Sequence, residues 1–219
     1  MNIAIVPIKK KSERVPGKNF KLVCGKPLFE FLLDKLSYCN FDDIYIDSDS
    51  EEIQGYADRK GYKFIERIPE LALNSANGND LLNYHATILE ADFYFQLFVT
   101  APLLKVETIN QCIDILNKNN HYDSILTSKS LYSWFWFDGK PINYDPKLLP
   151  RSQDAKPVII ETTGLYGITS QSVKLNKSRI GNNPYFFEVE NDEALDLDNQ
   201  VDFEYLEFHV AKNISSTIS

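Results

Sequence analysis

Short apolar segments alternate with segments of helical periodicity along most of the chain. Residues 3–7 and 93–99 are near-continuous apolar runs, whereas residues 27–38 and 105–118 carry apolar residues at helical spacing. Such alternation is typical of βαβ units, which build a mostly parallel sheet with helices on its faces and right-handed crossovers. The pattern therefore predicts an α/β fold, and the 219 residues are enough for one domain of this kind.

Most elements of this pattern can be placed from the sequence. The predicted strands are residues 3–7, 43–47, 62–66, 93–99, 122–128, 164–168 and 185–189. The predicted helices are residues 27–38, 49–60, 80–90, 105–118, 170–177 and 199–212, with a long loop over 67–80.

Residues 131–163 interrupt the alternation. They begin with a cluster of aromatic residues at 134–137, continue through an Asp138-Gly139 turn and contain several prolines. We interpret them as a β-rich insertion within a single domain of residues 1–219. Two interpretations of the aromatic residues remain open, because they can form the core of the insertion or a contact between two subunits.

The overall composition excludes several classes of function. The net charge of −8 makes nucleic-acid binding by broad charge attraction unfavourable. The three cysteines and three histidines are scattered without metal-site spacing, which favours free thiols in a reducing cytoplasm. No apolar run approaches the roughly 20 residues of a membrane span. We therefore expect a cytoplasmic protein without a nucleic-acid or membrane partner.

A basic segment follows the first predicted strand. Residues 7–19 read PIKKKSERVPGKN and place five cationic side chains within ten residues of an acidic protein. In open parallel sheets, ligands bind beyond the carboxyl ends of the strands, and polyphosphates need dense positive charge there. The spacing is that of neither the ATP-binding P-loop nor a dinucleotide-binding turn. A merely solvated basic loop is the alternative.

Two aspartates near the end of the chain suggest a metal site. In an extended segment, residues two apart point to the same face, so Asp196 and Asp198 can converge on one cation. Mg²⁺ prefers one or two carboxylates together with phosphate oxygens and water. A helix cap or solvated turn is the alternative for such a pair.

The basic segment resembles the signature of the cytidylyltransferases that activate sialic acids and related 3-deoxy-ulosonic acids, the acylneuraminate cytidylyltransferase family. Pro7, Ser12, Pro16, Lys18 and Asn19 match it. Arg14 is similar to the 3-deoxy-manno-octulosonate branch, whereas Lys9 stands where the family has arginine. The segment from Asp196 to Asp198, followed by Asp202-Phe203, resembles the family's magnesium-binding segment.

Further segments carry the same resemblance. Asp47–Glu51, Arg67–Ala72, Thr100–Leu103 and Pro150–Asp154 are each similar to a family motif. The resemblance implies catalytic roles for Lys9, Arg14 and Lys18, nucleotide binding by Pro7, Ser12, Asn19, Gly78, Asn79 and Thr100, sugar binding by Phe98, Arg151 and Gln153, and metal binding by Asp49, Asp196 and Asp198. For Asp49 a helix cap, and for residues 77–80 a simple turn, remain as alternatives.

The resemblance also implies a fold and a reaction. The fold is a three-layer, Rossmann-like nucleotide-diphospho-sugar transferase fold. The reaction is Mg²⁺-dependent transfer of CMP from CTP to an acidic sugar, with release of pyrophosphate, in a homodimer. Asp202 fits better as a charge in the first turn of the last helix than as a ligand.

Two departures from the family pattern bear on the substrate. Phe98 replaces a glutamine that contacts substrate, and Glu161 stands where a second positive residue is expected. An aromatic ring can pack against a sugar face but cannot supply the hydrogen bonds of an amide. Two alternatives therefore stay open, namely transfer to a different sugar or alcohol and a catalytically silent nucleotide-binding homologue.

Overall fold

The computed structural model of the chain describes residues 1–12, 15–119 and 121–217, with side chains up to residue 212. The strands are β1 (Asn2–Ile8), β2 (Leu22–Val23), β3 (Lys26–Pro27), β4 (Asp43–Ser48), β5 (Lys63–Glu66), β6 (Phe93–Leu97), β7 (Ser124–Leu131), β8 (Trp136–Phe137), β9 (Lys140–Pro141), β10 (Val158–Thr169) and β11 (Pro184–Glu188). The helices are α1 (Leu28–Leu36), α2 (Glu51–Lys60), α3 (Pro69–Ala72), α4 (Gly78–Ile88), α5 (Val106–Lys118), α6 (Ser170–Asn176) and α7 (Gln200–Thr217).

Seven strands form one sheet in the order β11-β7-β10-β6-β1-β4-β5. β1 lies between β6 and β4 and runs parallel to both. β10 is antiparallel to its two neighbours, β6 and β7, while the remaining pairs are parallel. The predicted α/β fold with a mostly parallel sheet is therefore confirmed.

The apolar run of β1 is buried on both faces of the sheet. Ile3 and Ile5 pack with Leu82 of α4 on one face. Ala4 and Val6 belong to the larger cluster on the other face, to which α1, α2 and α5 also contribute. A central strand with helices above and below explains why its sequence is apolar at consecutive positions. This arrangement produces three layers.

A third apolar cluster holds the end of the chain against its beginning. It joins the β2–β3 hairpin and α1 to the segment before α7 and to α7 itself, through Val23, Leu28, Leu197, Phe203 and Leu206. The predicted metal-binding segment is therefore fixed to the loop that follows β1. Among the described residues, no helix combines the length and the apolar character needed to cross a membrane.

The interruption of the main sheet is shorter than predicted and contains little β-structure. β7 extends to Leu131 and β10 begins at Val158, so both ends of the predicted insertion, 131 and 158–163, lie in the sheet. Between them, the only strands among these described residues are β8 and β9, of two residues each. Prolines at positions 146, 150 and 157 explain the difference, because proline cannot donate a ladder hydrogen bond.

The loop predicted over residues 67–80 also contains helical structure. α3 occupies four of its residues, and α4 begins at Gly78. The side chain of Asn77 accepts hydrogen bonds from the backbone of Asn79 and Asp80, and Asp80 caps the backbone of Asn77 in return. This reciprocal capping box starts the helix two residues earlier than predicted.

The packing of β10 yields a stability prediction. A methyl group at Gly167 would lie 2.5 to 2.8 Å from atoms of Phe95 and Ile125, so Gly167→Ala should destabilise the fold by roughly 1–3 kcal/mol. At Gly55 in α2, the nearest atom to an added methyl group is 3.6 Å away. Gly55→Ala should therefore stabilise the chain by about 0.5–1 kcal/mol. Chemical denaturation of both variants measures this, and shifts of the same sign would contradict the packing.

Candidate active site

A cleft of about 360 Å³ lies at the carboxyl ends of β1, β5 and β6. The start of α4 and the loop before it complete its wall. The lining residues are Pro7, Lys9, Lys11, Ser12, Lys18, Asn19, Arg67, Leu71, Leu73, Asn74, Ala76, Asn77, Gly78, Leu81, Phe98, Val99 and Thr100. This is the edge of the sheet where a parallel α/β fold binds its ligands.

The cleft differs in charge from the rest of the protein. Four of the described residues that line it are cationic, and none of them is acidic. The whole chain carries a net charge of −8. Because the cleft lining contains cations and no acids, the cleft is suited to an anionic ligand with several charges.

The basic loop after β1 is shaped by local hydrogen bonds. Gly17 adopts a left-handed conformation, with φ of 64°, which side-chain-bearing residues adopt only under strain. The backbone N–H of Lys18 donates to the carbonyl of Val15 at 3.0 Å, and a short 3₁₀ helix, Lys18–Phe20, follows. The Asn19 amide donates to the Lys9 carbonyl at 2.9 Å. Asn19 thus closes the loop on itself.

Asp49 is tied to this same loop. It lies just beyond β4, and its carboxylate accepts a hydrogen bond from the backbone N–H of Lys10 at 2.6 Å. Ser50, rather than Asp49, occupies the N-cap position of α2. The structure thus gives Asp49 a role in shaping the basic loop, and metal binding by Asp49 stays a prediction.

Lys18 connects the basic loop to the late aspartate segment. Its ammonium group donates to the carbonyl of Leu197 at 2.7 Å and lies 3.3 Å from a carboxylate oxygen of Asp198. The backbone N–H of Leu197 donates in turn to the carbonyl of Thr100 at 2.9 Å. Three segments that are far apart in the sequence therefore meet at one point of the cleft.

The two aspartates of this segment differ in their partners. One carboxylate oxygen of Asp196 is buried and has no hydrogen-bond partner in the described structure. Asp198 pairs with Lys18. Asp202 accepts the backbone N–H groups of Asp198 and Asn199 at 2.7 and 2.8 Å, so it acts at the start of α7, as expected.

Asp196 and Asp198 fit a magnesium ion that is shared with a phosphate ligand better than a metal ion whose ligands all come from the protein. Among the described residues, no cluster of three or more histidine, cysteine, aspartate or glutamate side chains is arranged to hold an ion. Mg²⁺ typically takes only one or two carboxylates beside phosphate oxygens and water. The unpartnered oxygen of Asp196 is a free ligand atom of that kind.

Glu193 anchors the aspartate segment to α5. Its buried carboxylate accepts the backbone N–H of Lys105 at 2.9 Å and the hydroxyl of Thr108 at 2.6 Å. Lys105 is the N-cap residue of α5, and its own side chain makes no capping hydrogen bond. Glu193 therefore places a carboxylate at the positive end of that helix.

A half-buried lysine supports the loop after β6. The ammonium group of Lys35 donates to the carbonyls of Pro102 and Leu104 at 2.7 and 3.0 Å. Burial, with a smaller effect of nearby Lys26, lowers the pKa of Lys35 to about 8. The loop that begins with Thr100 is thus held from below.

A buried ionic network beneath the cleft was not predicted. Arg67 forms a salt bridge with Asp47 through its Nε atom, and its Nη2 atom donates to the Asp47 carbonyl at 3.1 Å. The Nε2 atom of His85 lies 2.5 Å from the other carboxylate oxygen of Asp47. The sequence indicates Arg67 only as the first residue of the motif-like segment Arg67–Ala72. No spacing signal connects three residues on β4, the loop after β5 and α4.

The other predicted nucleotide-binding residues are divided between cleft and scaffold. Pro7, Ser12 and Gly78 line the cleft. Asn79 does not line it, because its side-chain oxygen accepts the backbone N–H of Arg179 at 2.9 Å. Phe98, which was predicted to bind the sugar, lies in the cleft wall.

The remaining predicted sugar-binding residues lie elsewhere. The Arg151 side chain is 74% exposed and forms an ion pair with Asp154, three residues later, at 2.6 Å. Gln153 is also exposed, and neither residue lines the cleft. In the single chain, Arg151 pairs with a carboxylate of its own turn, and sugar binding by Arg151 and Gln153 stays a prediction. Arg14 lies outside the described residues.

Comparison with known families agrees with this geometry. Residues 3–143, well over half of the chain, match the family model described as cytidylyltransferase. The chain belongs to the cytidylyltransferase family. The matched region includes the basic loop, the buried network and the loop after β6, but not the aspartate segment.

Individual relatives are distant and longer. N-acylneuraminate cytidylyltransferase A of Danio rerio is 23% identical over 219 residues, which cover 95% of this chain and 50% of that protein. The Helicobacter pylori protein named pseudaminic acid cytidylyltransferase and UDP-2,4-diacetamido-2,4,6-trideoxy-beta-L-altropyranose hydrolase is 27% identical over 205 residues, covering 89% of this chain and 40% of that protein. The chain thus spans half or less of these relatives.

A solved structure extends the likeness to the whole fold. CMP:2-keto-3-deoxy-manno-octonic acid synthetase, complexed with CTP, superposes with a TM-score of 0.71 at 15% identity, covering 97% of this chain and 99% of that chain. At this identity, the comparison shows a shared fold. The cytidylyltransferase fold expected from the sequence is therefore confirmed.

The buried network beneath the cleft yields a second stability prediction. Asp47→Asn leaves the Arg67 guanidinium without its carboxylate in a buried position, which should cost about 3 kcal/mol or more. Asp49→Asn changes an exposed carboxylate two residues away and should cost less than about 1 kcal/mol. Urea denaturation followed by circular dichroism compares the two. Equal midpoints would show that the network does not stabilise the fold.

Proposed function

We propose that this chain transfers CMP from CTP to a hydroxyl group of an acidic sugar and releases pyrophosphate, with Mg²⁺ as cofactor. The observation that carries this proposal is the joining of the cationic cleft to the aspartate segment through Lys18. A polyphosphate needs cationic side chains, and its metal ion needs carboxylates a few ångströms away. Lys18 joins the cationic cleft to the carboxylates.

The chemistry requires positioning rather than a covalent intermediate. The sugar hydroxyl attacks the α-phosphorus of CTP, and a new P–O bond forms. The bond to the β-phosphate oxygen breaks as pyrophosphate leaves, and the hydroxyl proton passes to water. Lys9 and Lys18 counter the negative charge of the phosphates and the leaving group. Asn19, which closes the basic loop, holds the two lysines in fixed positions. The predicted contribution of Arg14 is of the same kind.

Asp196 and Asp198 would hold the magnesium ion. The unpartnered carboxylate oxygen of Asp196 supports this assignment. When bound, Mg²⁺ neutralises phosphate charge and helps to orient the triphosphate. Lys18 then keeps the carboxylate of Asp198 from turning away, because it pairs with that group and with the adjoining carbonyl.

The choice of CTP and an acidic sugar is supported by the relatives. Their names refer to N-acylneuraminate, pseudaminic acid and 2-keto-3-deoxy-manno-octonic acid, and all describe cytidyl transfer or a CMP product. The wall at Phe98 adds an aromatic surface against which a sugar ring can pack. The three free cysteines support a cytoplasmic setting, since disulfides are rare there.

A pyrophosphate-release assay tests the proposal. The chain is supplied with each of four nucleoside triphosphates, with and without Mg²⁺. The acceptor is N-acetylneuraminic acid, pseudaminic acid, 3-deoxy-manno-octulosonic acid, an uncharged sugar or a simple alcohol. We expect release only with CTP, an acidic sugar and Mg²⁺ together. If no condition gives pyrophosphate release but the chain still binds CTP, the alternative of a catalytically silent nucleotide-binding homologue is favoured. Faster release with uncharged sugars or alcohols would favour the other acceptors that Phe98 and Glu161 left open.

The role of the basic loop is tested by a substitution that removes one of its positive charges. Lys9→Gln should raise the KM for CTP about tenfold or more, because a charge-assisted contact to phosphate is worth roughly 1.5–3 kcal/mol. Lys63→Gln is the matched control, since Lys63 pairs with Asp43 at the opposite end of the sheet. The control should keep the KM of the original chain. Equal KM values for both variants would remove Lys9 from the nucleotide site.

We further propose that two copies of the chain associate through the segment between β7 and β10. This segment and the adjoining strand ends expose many large apolar side chains, namely Tyr132, Trp134, Trp136, Phe137, Ile142, Leu148, Leu149, Ile159 and Ile160. Exposed apolar side chains with aromatic residues among them are typical of protein–protein interfaces. A second copy of the same chain is the partner that the family resemblance implies.

Light scattering tests this association. The original chain should give the mass of a dimer at micromolar concentration, and Phe137→Glu should give the mass of one chain, because it places a charge in the apolar contact. Phe208→Glu is the control, since Phe208 is similarly exposed, 69% against 75%, but lies on α7. A single-chain mass for the original protein would refute the dimer. Dissociation by Phe208→Glu alone would move the interface to α7.

A further inference from the structure

The guanidinium of Arg179 is held between aromatic rings at the edge of the cleft. Its central carbon lies 3.7 Å from the centre of the Tyr166 ring and 5.8 Å from that of Phe98. Only 24% of the side chain is exposed. Stacking of this kind fixes the plane of the guanidinium while leaving its N–H groups at the rim free.

Among the described residues, those N–H groups make an ion-pair contact but no hydrogen bond. The nearest carboxylate is that of Glu161, whose oxygen lies 3.9 Å from an Arg179 nitrogen, too far for a hydrogen bond. Within the described part of the chain, the guanidinium donates no hydrogen bond. A guanidinium has five N–H donors, and leaving them without partners in a mostly buried position is unfavourable. This arrangement indicates that a ligand supplies the acceptors.

The position of the guanidinium connects it to the cleft. A side-chain carbon at Gly78 would lie 2.7 Å from an Arg179 nitrogen, so the guanidinium sits directly against the backbone of that glycine. Gly78 and Phe98 both line the cleft. The backbone of Arg179 is fixed as well, because its N–H donates to the side chain of Asn79.

Glu161 completes the setting of Arg179. Its carboxylate accepts a hydrogen bond from the Tyr166 hydroxyl at 2.6 Å. Burial, and after it this hydrogen bond, raises the pKa of Tyr166, so the hydroxyl stays protonated as the donor. The Glu161 carboxylate thus accepts a hydrogen bond from Tyr166 and also attracts the Arg179 guanidinium. The cation next to position 161 is therefore the side chain of Arg179.

We propose that Arg179 binds the carboxylate of the acidic sugar through two parallel N–H···O bonds. This inference rests on the proposed function. Planar guanidinium groups match carboxylates in this geometry, and the same wall presents Phe98 to the sugar ring. The lysines that suit the triphosphate belong to the basic loop after β1, which is a different part of the cleft lining. Arg179 thereby selects acidic over neutral sugars.

Steady-state kinetics of four variants tests the assignment. The readout is pyrophosphate release with the best acidic sugar of the panel and with its methyl ester, which lacks the charge. Arg179→Gln should raise the KM for the acid about tenfold to hundredfold, leave the KM for CTP unchanged and abolish discrimination against the ester. Arg179→Lys keeps the charge but loses the fork, so the KM for the acid should rise by a smaller factor.

Two other arginines serve as comparisons. Arg59→Gln removes the same charge from an exposed residue of α2, which also lies near a tyrosine ring, and should leave all constants unchanged. Arg151→Gln tests the arginine that the family resemblance favours for the sugar. An effect of Arg151→Gln on the KM for the acid, with none of Arg179→Gln, would overturn the assignment. A rise in the KM for CTP with Arg179→Gln would also overturn it, by moving Arg179 to the nucleotide.

The remaining outcomes are decided by folding and direct binding. If thermal melting shows that Arg179→Gln does not fold, Arg179→Lys is used instead. An unchanged KM of Arg179→Lys for the acidic sugar then rejects the proposal. If the original chain releases no pyrophosphate with any sugar, the proposed function fails. Calorimetric binding of N-acetylneuraminic acid in the presence of CTP then tests Arg179 alone. Equal affinity of the original chain and the variant, or no binding by either, overturns the inference.

Discussion

The buried ammonium group of Lys18 joins two segments that are 179 residues apart in the sequence. A buried charge needs partners, and the Leu197 carbonyl and the Asp198 carboxylate supply them. The backbone of Leu197 is bonded to that of Thr100, so the loop after β6 takes part in the same connection. The distance between the basic loop and the aspartate segment is thereby fixed by the contacts of Lys18 within the protein itself.

The cleft separates its charges by sign. Cationic side chains face the space, while the acidic groups nearby act from behind it. Asp49 holds the basic loop by its backbone, and Asp47 orients Arg67 from beneath. Such an arrangement keeps acidic side chains out of the cleft lining in a protein with a net charge of −8, while the neighbouring carboxylates fix the positions of the loop and of two cations.

The parts of the fold that follow from local pattern could be predicted from the sequence. The apolar run of β1 is buried on both faces, and three of the cations after it, Lys9, Lys11 and Lys18, line the cleft. Contacts among Asp47, Arg67 and His85 could not be predicted, because they depend on how three elements pack and not on spacing.

Motif resemblance is limited in a different way. It assigns a role to a residue from its place in the sequence and does not take into account the side chains that surround the residue in the structure. Arg151 matches a family motif, but the aspartate three residues later captures its side chain. Arg179 lies in no motif, and only its stacking on Tyr166 distinguishes it from other arginines. The overestimate of β-structure before β10 had a simpler cause, because its aromatic residues favour strands while its prolines prevent pairing.

The anchoring of α5 by Glu193 has a consequence for the order of assembly. During synthesis from the amino terminus, the sheet strands β1, β4, β5 and β6 and helix α5 emerge long before residue 193. The helix then lacks its distant cap, and Lys18 lacks its carbonyl and carboxylate partners. Such long-range contacts are entropically costly and form late. A nascent chain that has already acquired most of its sheet would therefore still lack the connection between Lys18 and the aspartate segment until residues 193–198 have been synthesised.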